Sequence, residues 1–389
     1  MARNAVKDKV AIVGIGSTPH LRESGTTART LALRAARDAI RDAGLGAEDV
    51  DGIAGSTEVQ AWEMASGLGL PAVRWWVNNP IPFHFQIAEA VHAVHAGAAD
   101  VVLAYHATRR ASGTSRSAAA DPFRVRSGPG GNRPAHTPDT IAGAVGYAAW
   151  ASRYLHEYSA RREDLGLVAI NDRSNAARNP QAALRTPLTM EDYLTARMVR
   201  EPLSILDMDY PVDAADAFVI TSAERAADLA QRPVLVHTVT SGMTDHPDED
   251  QQVDLRHTGQ QVVVDRLWET SDLKLGDMDV FFPYDGFSII TLRWFETVGY
   301  CGDGEAGAFL EQNWDAEGNR ILIDGRVPVN THGGSLSGGG TQGSGHVREA
   351  VLQLQGRAGE RQAAGAKAAL LTPGGFFFNA GGMVLRAAD

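Results

Sequence analysis

The stretch NTHGGSLSGGGTQGSGHVREAVLQLQG, from Asn330 to Gly356, decides the fold of this chain. Seven of the seventeen residues from 330 to 346 are glycine and two are histidine. Glycine at this density indicates a backbone that turns sharply or that another group approaches closely. Helical spacing then appears in four apolar residues, Val347, Ala350, Val351 and Leu354. The pattern predicts a turn that faces a helix N-terminus and binds an anion or a developing oxyanion. A flexible surface linker is the alternative.

The composition is that of an acidic globular protein of 389 residues. Its net charge of -11 argues against nucleic acid as the main partner. The single cysteine, Cys301, rules out an internal disulfide and a multi-cysteine zinc site, and it suits a reducing cytoplasm. The start of the chain predicts neither a secretory signal nor a membrane span. Glycines and Asn379 interrupt the apolar segment 374–385, so we expect a buried strand and turn there rather than a transmembrane helix.

Strands and helices alternate along the chain, which predicts an α/β fold with predominantly parallel or mixed sheets. Residues 107–137 interrupt this pattern and hold six arginines against one aspartate. A loop of that length is usually functional or disordered.

The second half of the sequence repeats the first in outline. GLGAEDVDGI, at 44–53, is echoed by LKLGDMDVFF, at 273–282, and each stands at a helix-to-strand junction. The helix-then-strand unit at 88–105 is echoed by the segment 348–372. Such repetition predicts two similar α/β halves that form a layered pseudo-dimer.

We place the N-terminal half at residues 1–235 and the C-terminal half at residues 236–389. The first half includes an inserted loop domain at about 107–210.

The duplicated plan, the NxxGG loop and the QLxG helix end resemble the thiolase superfamily. Three further segments are similar to its sterol-carrier-protein-x, or lipid-transfer-protein, branch: PYDGFS at 283–288, GYCGDGEAGAFLE at 299–311 and ARNPQAALRTPLTMEDYL at 177–194. The resemblance covers nearly the whole chain and implies the thiolase fold.

The chain departs from thiolases at the catalytic positions. Thiolases use a cysteine at the start of a buried helix, a histidine in a Gly-His-Pro motif and a second cysteine near the C-terminus. The first position falls here at Asn79 or Pro80, the histidine position reads Gly340, and the C-terminal segment has no cysteine. Aldolases of the lipid-transfer branch tend to place a tyrosine where this chain has Gly340. We expect Cys301 to be a small buried residue, so covalent acyl-cysteine chemistry is not expected.

Tyr284 takes the position of an asparagine that holds a catalytic water in ordinary thiolases. A tyrosine hydroxyl can donate to an enolate oxygen or transfer a proton, and the adjacent Asp285 could orient it. A packed aromatic ring is the alternative. His332 stands beside Asn330 in the NTHGG turn, where an imidazole suits proton transfer or simply holds the turn.

His84 opens the helix that should carry the nucleophile. The helix dipole there favours a neutral ring, which would serve as donor, as base or as a structural residue. His346 is expected to be structural. His92 and His95 follow on the same helix as His84, but no carboxylate or cysteine has metal-ligand spacing with them, so no metal site is predicted.

The resemblance also implies which groups meet the substrate. We expect the backbone amides of Gly333, Gly334 and Gly340 to surround a thioester oxygen, together with Asn330 and His84.

The arginine-rich loop suits the phosphates of coenzyme A, and we assign Arg124 and Arg126 to them. A subunit contact and a solvated lid are the alternatives for this loop.

The function implied is that of an acyl-CoA carbon–carbon lyase, which cleaves a steroid or lipid β-hydroxyacyl-CoA by a retro-aldol reaction. A Claisen-type acyltransferase and a non-catalytic scaffold subunit are the alternatives. Coenzyme A enters as part of the substrate, with no covalently bound cofactor. We expect a cytoplasmic homodimer with a small zinc-ribbon/OB-fold partner protein, and neither nucleic acid nor membrane as a partner.

Overall fold

The computed structural model describes residues 4–79, 82–110, 144–246, 254–375 and 379–388, with the backbone alone at 125–126 and 133–134. The strands of the first half are β1 (Val10–Ser17), β2 (Gly52–Ser56), β3 (Trp75–Asn79), β4 (Val101–Arg109), β5 (Val125–Arg126), β6 (Arg133–Pro134), β7 (Met198–Arg200), β8 (Leu203–Ser204) and β9 (Asp213–Ser222). Those of the second half are β10 (Val234–Gly242), β11 (Val280–Pro283), β12 (Trp314–Asp315), β13 (Arg320–Ile323), β14 (Val327–Pro328), β15 (Ala368–Thr372) and β16 (Ala380–Ala387).

Eleven α-helices lie between the strands of the described residues. They are α1 (Ala28–Asp42), α2 (Ala61–Leu68), α3 (His84–His95), α4 (Ala144–Tyr158), α5 (Arg162–Ala177), α6 (Met190–Leu194), α7 (Ala223–Ala226), α8 (Gly259–Thr270), α9 (Ser288–Val298), α10 (Ala306–Gln312) and α11 (Ser344–Leu354). Among these residues, no helix is long and apolar enough to cross a membrane.

Nine strands form one mixed sheet, in the order β11-β15-β16-β10-β1-β9-β4-β2-β3. In the first half β1 is antiparallel to β9, β9 is antiparallel to β4, and β4 is parallel to β2. The second half repeats this, because β10 is antiparallel to β16, β16 is antiparallel to β15, and β15 is parallel to β11. A short antiparallel contact between β1 and β10 joins the halves. The predicted duplication of an α/β unit is confirmed.

The sequence echoes fall at equivalent places in the two halves. A 3-10 turn precedes β2 at Ala47–Asp49, and another precedes β11 at Leu275–Asp277. In each turn the last aspartate accepts a backbone hydrogen bond three residues back, from Gly46 at 2.9 Å and from Lys274 at 2.8 Å. The same capping hydrogen bond therefore precedes the equivalent strand in each half.

The helices α3 and α11 share one hydrophobic core with strands of both halves. Alternate residues of β1 show the layering, since Val10 and Ile12 belong to this shared core and Ala11 and Val13 belong to a separate core with α1. Hence α3 and α11 lie on the same side of their strands, and their N-termini are brought to the same region.

The insertion between β4 and β9 contains α4, α5, α6 and the hairpin β7–β8. Its apolar residues join a third core that is continuous with α9 and β11 of the second half. The domain boundary at 235/236 remains a prediction.

Candidate active site

The glycine-rich stretch is a buried structural element. Residues 330–346 are buried except Gln342, which is half-buried, so the alternative of a surface linker is wrong. Gly334–Gly338 forms a π-helical turn, and Gly333 (φ 96°) and Gly343 (φ 89°) have left-handed backbone that glycine adopts without strain. Gln342 adopts the left-handed region too (φ 55°), which is uncommon for a residue with a side chain.

Contacts from distant parts of the chain fix the loop. His20 donates from Nδ1 to the Gly338 carbonyl at 2.8 Å, and the Leu336 amide donates to Asp285 Oδ2 at 2.8 Å. The Tyr210 amide donates to the Ser335 carbonyl at 3.0 Å. The loop is thus held from three sides, as a preorganised site requires.

Tyr284 directly follows β11, and its amide continues the strand pairing by donating to the Thr372 carbonyl at 3.1 Å. Its ring lies against Gly286, where a Cβ atom would come within 2.6 Å of the ring. The hydroxyl lies 3.4 Å from Gln342 Oε1 on the glycine loop. Burial first, and then the charge of Asp209, raise the pKa of Tyr284, while the charge of Arg110 opposes them. The phenol therefore stays protonated and acts as a donor.

Two carboxyl groups and an imidazole lie behind Tyr284. His346 Nε2 is 2.9 Å from Asp285 Oδ1, and its ring centroid is 5.8 Å from that of Tyr284. Burial and the charge of Asp285 raise the pKa of Asp172 well above its usual range. Burial alone would raise the pKa of Asp285 too, but the hydrogen bond and charge of His346 outweigh it and hold that pKa low. The two carboxyls thus carry one charge, on Asp285.

An ionised Asp285 fixes the hydrogen bond that His346 makes. A carboxylate can only accept, so Nε2 of His346 is the donor. His346 Nδ1 has no hydrogen-bond partner among the described residues. The arrangement is an aspartate that orients a histidine whose ring lies near the Tyr284 ring, while the Tyr284 hydroxyl itself bonds to Gln342.

His332 and Asn330 are buried next to His346 and Asp285. The His332 ring packs edge-on against that of His346, with centroids 4.7 Å apart, and within the described residues neither of its nitrogens has a hydrogen-bond partner. Burial, followed by the charges of neighbouring groups, lowers the pKa of His332 well below its usual value, so the ring is neutral. Asn330 donates from Nδ2 to the Pro283 carbonyl at 3.0 Å, which ties the loop to the end of β11.

An ion pair stands over Gly340. The Arg110 guanidinium binds both carboxylate oxygens of Asp209, with Nη2 to Oδ1 at 3.0 Å. A Cβ atom on Gly340 would lie 2.5 Å from Asp209 Oδ2 and 2.8 Å from Arg110 Nη1. The pair therefore fills the space that a side chain at position 340 would need.

Comparison with known proteins agrees with this architecture. A family model described as thiolase C-terminal domain-like matches residues 241–387. The chain is 35% identical to the 17-hydroxy-3-oxo-4-pregnene-20-carboxyl-CoA lyase of Mycobacterium tuberculosis, over 94% of this chain and 96% of that protein. It is 32% identical to a steroid side-chain-cleaving aldolase of Thermomonospora curvata, over 89% of this chain and 90% of that protein.

The chain belongs to the thiolase superfamily, in its lipid-transfer branch. A solved structure described as Ltp2-ChsH2(DUF35) aldolase superimposes with a TM-score of 0.85 at 30% identity, covering 99% of both chains. The predicted thiolase fold is confirmed.

Two of the predicted thioester donors already have acceptors within the protein, and their role at the thioester remains a prediction. The Gly333 amide donates to the Asn330 carbonyl at 2.8 Å, and the Gly340 amide donates to the Tyr210 carbonyl at 2.8 Å. Both donors close turns inside the protein. A Cβ atom on Gly334 would point at Asp285 and Asp172, so this residue packs on the buried carboxyl pair. The sequence alone does not show which backbone carbonyls accept hydrogen bonds from the amides of these glycines within the loop.

His84 is fully buried at the start of α3, against Gly381. Neither ring nitrogen makes a well-formed hydrogen bond within the described residues, and burial lowers the pKa of His84 to about 3. The predicted neutral ring agrees with this position, but the surroundings are apolar. Its catalytic role remains a prediction.

Some of the other positions named from the sequence lie outside the described residues, and the rest can be described. Arg124 and the side chain of Arg126 lie outside the described residues, as does Pro80. Burial raises the pKa of the Cys301 thiol to about 12, so this cysteine is no nucleophile at neutral pH. Among the described residues, no cluster of His, Cys, Asp or Glu could hold a metal ion.

Sequence reading missed three residues that lie at the site, Arg110, Asp209 and Asp172, and it missed the contact of His346 with Asp285. A usable signal existed for Arg110, which stands at the carboxyl end of β4 next to a parallel strand, where α/β sheets place ligand-binding groups. Nothing in the sequence marks Asp209 or Asp172.

Proposed function

We propose that this chain is an acyl-CoA lyase that cleaves a β-hydroxyacyl-CoA by a retro-aldol reaction, with Tyr284 as its proton-transfer residue. The observation that carries the proposal is the protonated Tyr284 hydroxyl, which faces the glycine loop with the Asp285–His346 dyad behind it. No thiolate is needed for this chemistry, in agreement with the properties of Cys301.

The reaction moves one proton out and one proton back. The β-hydroxyl proton leaves, the Cα–Cβ bond breaks as the ketone forms, and its electron pair becomes the enolate of the shorter acyl-CoA thioester. Protonation of Cα completes the product. We propose that the Tyr284 hydroxyl, which bonds to Gln342 in this structure, turns towards His346 and accepts the hydroxyl proton of the substrate while its own proton passes to the Asp285–His346 pair; the same relay returns a proton to Cα. Tyrosinate never accumulates, which suits a phenol of raised pKa.

The remaining predicted residues hold this relay in place. His332 packs on the His346 ring. Asn330 joins the loop to the end of β11, next to Tyr284. We assign both to positioning, and we keep Arg124 and Arg126 as candidates for the phosphates of coenzyme A.

The substrate class follows from the relatives. Their names describe a lyase of a 17-hydroxy-pregnene carboxyl-CoA and a steroid side-chain-cleaving aldolase. For this chain we propose a β-hydroxyacyl-CoA whose hydroxyl-bearing carbon belongs to a steroid ring or similar polycycle. Cleavage then releases a ring ketone and a short acyl-CoA.

A homodimer is supported by the edge of the sheet. β3 is the last strand of the nine, and its outer edge pairs with no strand among the described residues. Trp62 and Trp76 are 59% and 56% exposed and pack edge-on against each other at 6.0 Å there. An exposed strand edge with large apolar side chains is a natural pairing surface. We propose that two copies pair through β3.

The description of a solved relative supports a second partner. It reads Ltp2-ChsH2(DUF35) aldolase and so names a DUF35 component beside Ltp2. We propose the same association for this chain.

The test is an incubation of the protein, alone and with the DUF35-type protein of its own genome, with a 17-hydroxysteroid carboxyl-CoA. Mass spectrometry should detect the ring ketone and the shortened acyl-CoA in equal amounts. A scaffold subunit would bind acyl-CoA without turnover in either mixture, and a Claisen-type acyltransferase would join two acyl-CoA molecules instead. Either result would refute the lyase.

A further inference from the structure

The ion pair of Arg110 and Asp209 is the second polar group at the glycine loop, and the proposed relay does not use it. It approaches the loop where Gly340 has no side chain, within 3 Å of where a Cβ atom would stand. Arg110 follows β4, and Asp209 lies in the segment that leads into β9. Residues far apart in sequence thus meet at one point of the loop.

Backbone hydrogen bonds fix Asp209 between the two parts of the site. The Asp209 amide donates to the Gly286 carbonyl at 3.0 Å, two residues after Tyr284. The neighbouring Tyr210 bonds to the loop at Ser335 and Gly340, at 3.0 and 2.8 Å. The carboxylate is 12% exposed, while the Arg110 side chain is 32% exposed. Asp209 is therefore the more buried partner, and the Arg110 side chain is the more exposed member of the pair.

The charge of Arg110 acts where the reaction needs it. The pKa of Arg110 is raised, first by the charge of Asp209, so the guanidinium stays positive. It cannot transfer a proton, and its contribution must be electrostatic. The charges of Asp209 and Arg110 both shift the pKa of the Tyr284 phenol, so the positive charge of Arg110 lies near the proton-transfer residue.

We propose that Arg110 binds the thioester oxygen of the substrate and stabilises its negative charge in the enolate, with Asp209 as the positioning residue that holds the guanidinium. This inference rests on the proposed lyase function. When the Cα–Cβ bond breaks, its electron pair spreads from Cα onto the thioester oxygen, and the guanidinium donates to that oxygen. Tyr284 transfers the proton, and Arg110 stabilises the negative charge of the enolate.

The decisive variants are Arg110→Gln, Arg110→Gly and Asp209→Asn, assayed in the full chain with its partner. Loss of one preorganised donor to an oxyanion lowers kcat by about 10²-fold, so we expect that loss for Arg110→Gln with little change in KM. Added guanidinium ion should restore part of the activity of Arg110→Gly. Asp209→Asn should lower kcat less, and guanidinium should not rescue it. Unchanged kcat in Arg110→Gln, or no rescue of Arg110→Gly, would overturn the proposal.

Arg22→Gln is the matched control. Arg22 is an exposed arginine that donates to the Tyr210 hydroxyl at 3.1 Å, on the segment that carries Asp209. Its replacement removes a guanidinium from this segment without touching the loop, and kcat should stay unchanged. An equal loss in both variants would mean that Arg110 acts only on stability, and this too would overturn the proposal.

A binding experiment decides the matter independently of turnover. An S-nitroalkyl coenzyme A in its nitronate form carries the charge of the enolate, and an S-alkyl coenzyme A of equal length carries none. Calorimetry should show that Arg110→Gln weakens binding of the nitronate about tenfold or more and leaves the neutral thioether unchanged. If the wild type turns nothing over but shows this difference, the lyase function fails while the anion-binding role of Arg110 stands. Equal losses for both ligands would refute the role of Arg110.

Discussion

The starts of α3 and α11 are equivalent positions of the duplicated fold, yet they are chemically opposite. At α3 the Phe83 amide donates to the Gln342 carbonyl at 2.9 Å, and His84 beside it is buried with an apolar environment and a pKa of about 3. At α11, Ser344 donates to Asp216 Oδ2 at 2.6 Å, and Arg348 forms an ion pair with Asp216.

The ion pair at the start of α11, called here the α11 entrance, belongs to a larger hydrogen-bond network, whereas the start of α3 is called the α3 entrance. Arg348 also donates to Ser17 Oγ at 2.8 Å and to His20 Nε2 at 3.2 Å, and His20 holds the loop through Gly338. Burial and the Arg348 charge lower the pKa of His20 to about 4, so its neutral ring can accept from Arg348 and donate to Gly338. Duplication has preserved the backbone, while the polar network has gathered around the start of α11, with members from both halves.

Breaking the α11 entrance should have the largest effect. Asp216→Ala leaves Arg348 buried without its carboxylate, and loss of one partner of a buried ion pair costs about 3–5 kcal/mol. Urea unfolding should show this decrease in the free energy of unfolding. A decrease below about 1 kcal/mol would mean that the network does not hold the loop.

The proton relay should be next. Tyr284→Phe removes a hydroxyl whose single bond to Gln342 is long, so stability should change little. The kcat value should fall about 10²-fold because proton transfer is lost. His346→Asn should give a comparable loss, and steady-state kinetics with a matched thermal melt would check both. Full activity in Tyr284→Phe would refute the site assignment and leave the fold intact.

The buried carboxyl pair should give a smaller, pH-dependent effect. The folded-state pKa of Asp172 is raised, so its contribution to stability is fully present below the unfolded pKa and is lost as pH rises through the folded pKa. Asp172→Asn keeps the shape without the titration. The variant should gain on the order of 1 kcal/mol relative to wild type at alkaline pH, with a flatter stability profile. A difference independent of pH would contradict the assignment of the proton to Asp172.

The α3 entrance should give the smallest effect. His84→Leu keeps a similar volume in an apolar site, so the free energy of unfolding should change by less than about 1.5 kcal/mol and kcat by only a few-fold. A kcat loss comparable to that of Tyr284→Phe would restore the catalytic role predicted for His84 and would erase the contrast between the two entrances.

The sequence predicted the parts of this molecule that depend on local pattern. The echoes at 44–53 and 273–282 located equivalent strands because capping aspartates and apolar runs are readable without tertiary information. The position of Tyr284 followed from the resemblance to thiolases. The buried glycine turn followed from its composition and the helix after it.

Contacts between distant residues were beyond the sequence. Arg110, Asp209 and Gly340 meet only because the insertion returns beside the loop, and no spacing encodes that return. The acceptors of the Gly333 and Gly340 amides were beyond the sequence for the same reason, since they depend on the loop's closed shape. The raised pKa of Asp172, on α5, depends on burial and on Asp285 being packed against it, and the sequence shows neither.

The bond between Arg348 and Ser17 has a consequence for synthesis on the ribosome. Ser17 and Asp216 are translated long before Arg348, which stands 331 residues after Ser17. Until Arg348 has been synthesised, the nascent chain holds the Asp216 carboxylate without its partner cation. The apolar surface against which α11 packs is then exposed to water. The first half therefore leaves the ribosome with its α1 core complete but with the shared core open, and the glycine loop is held in place only after the last part of the chain is released.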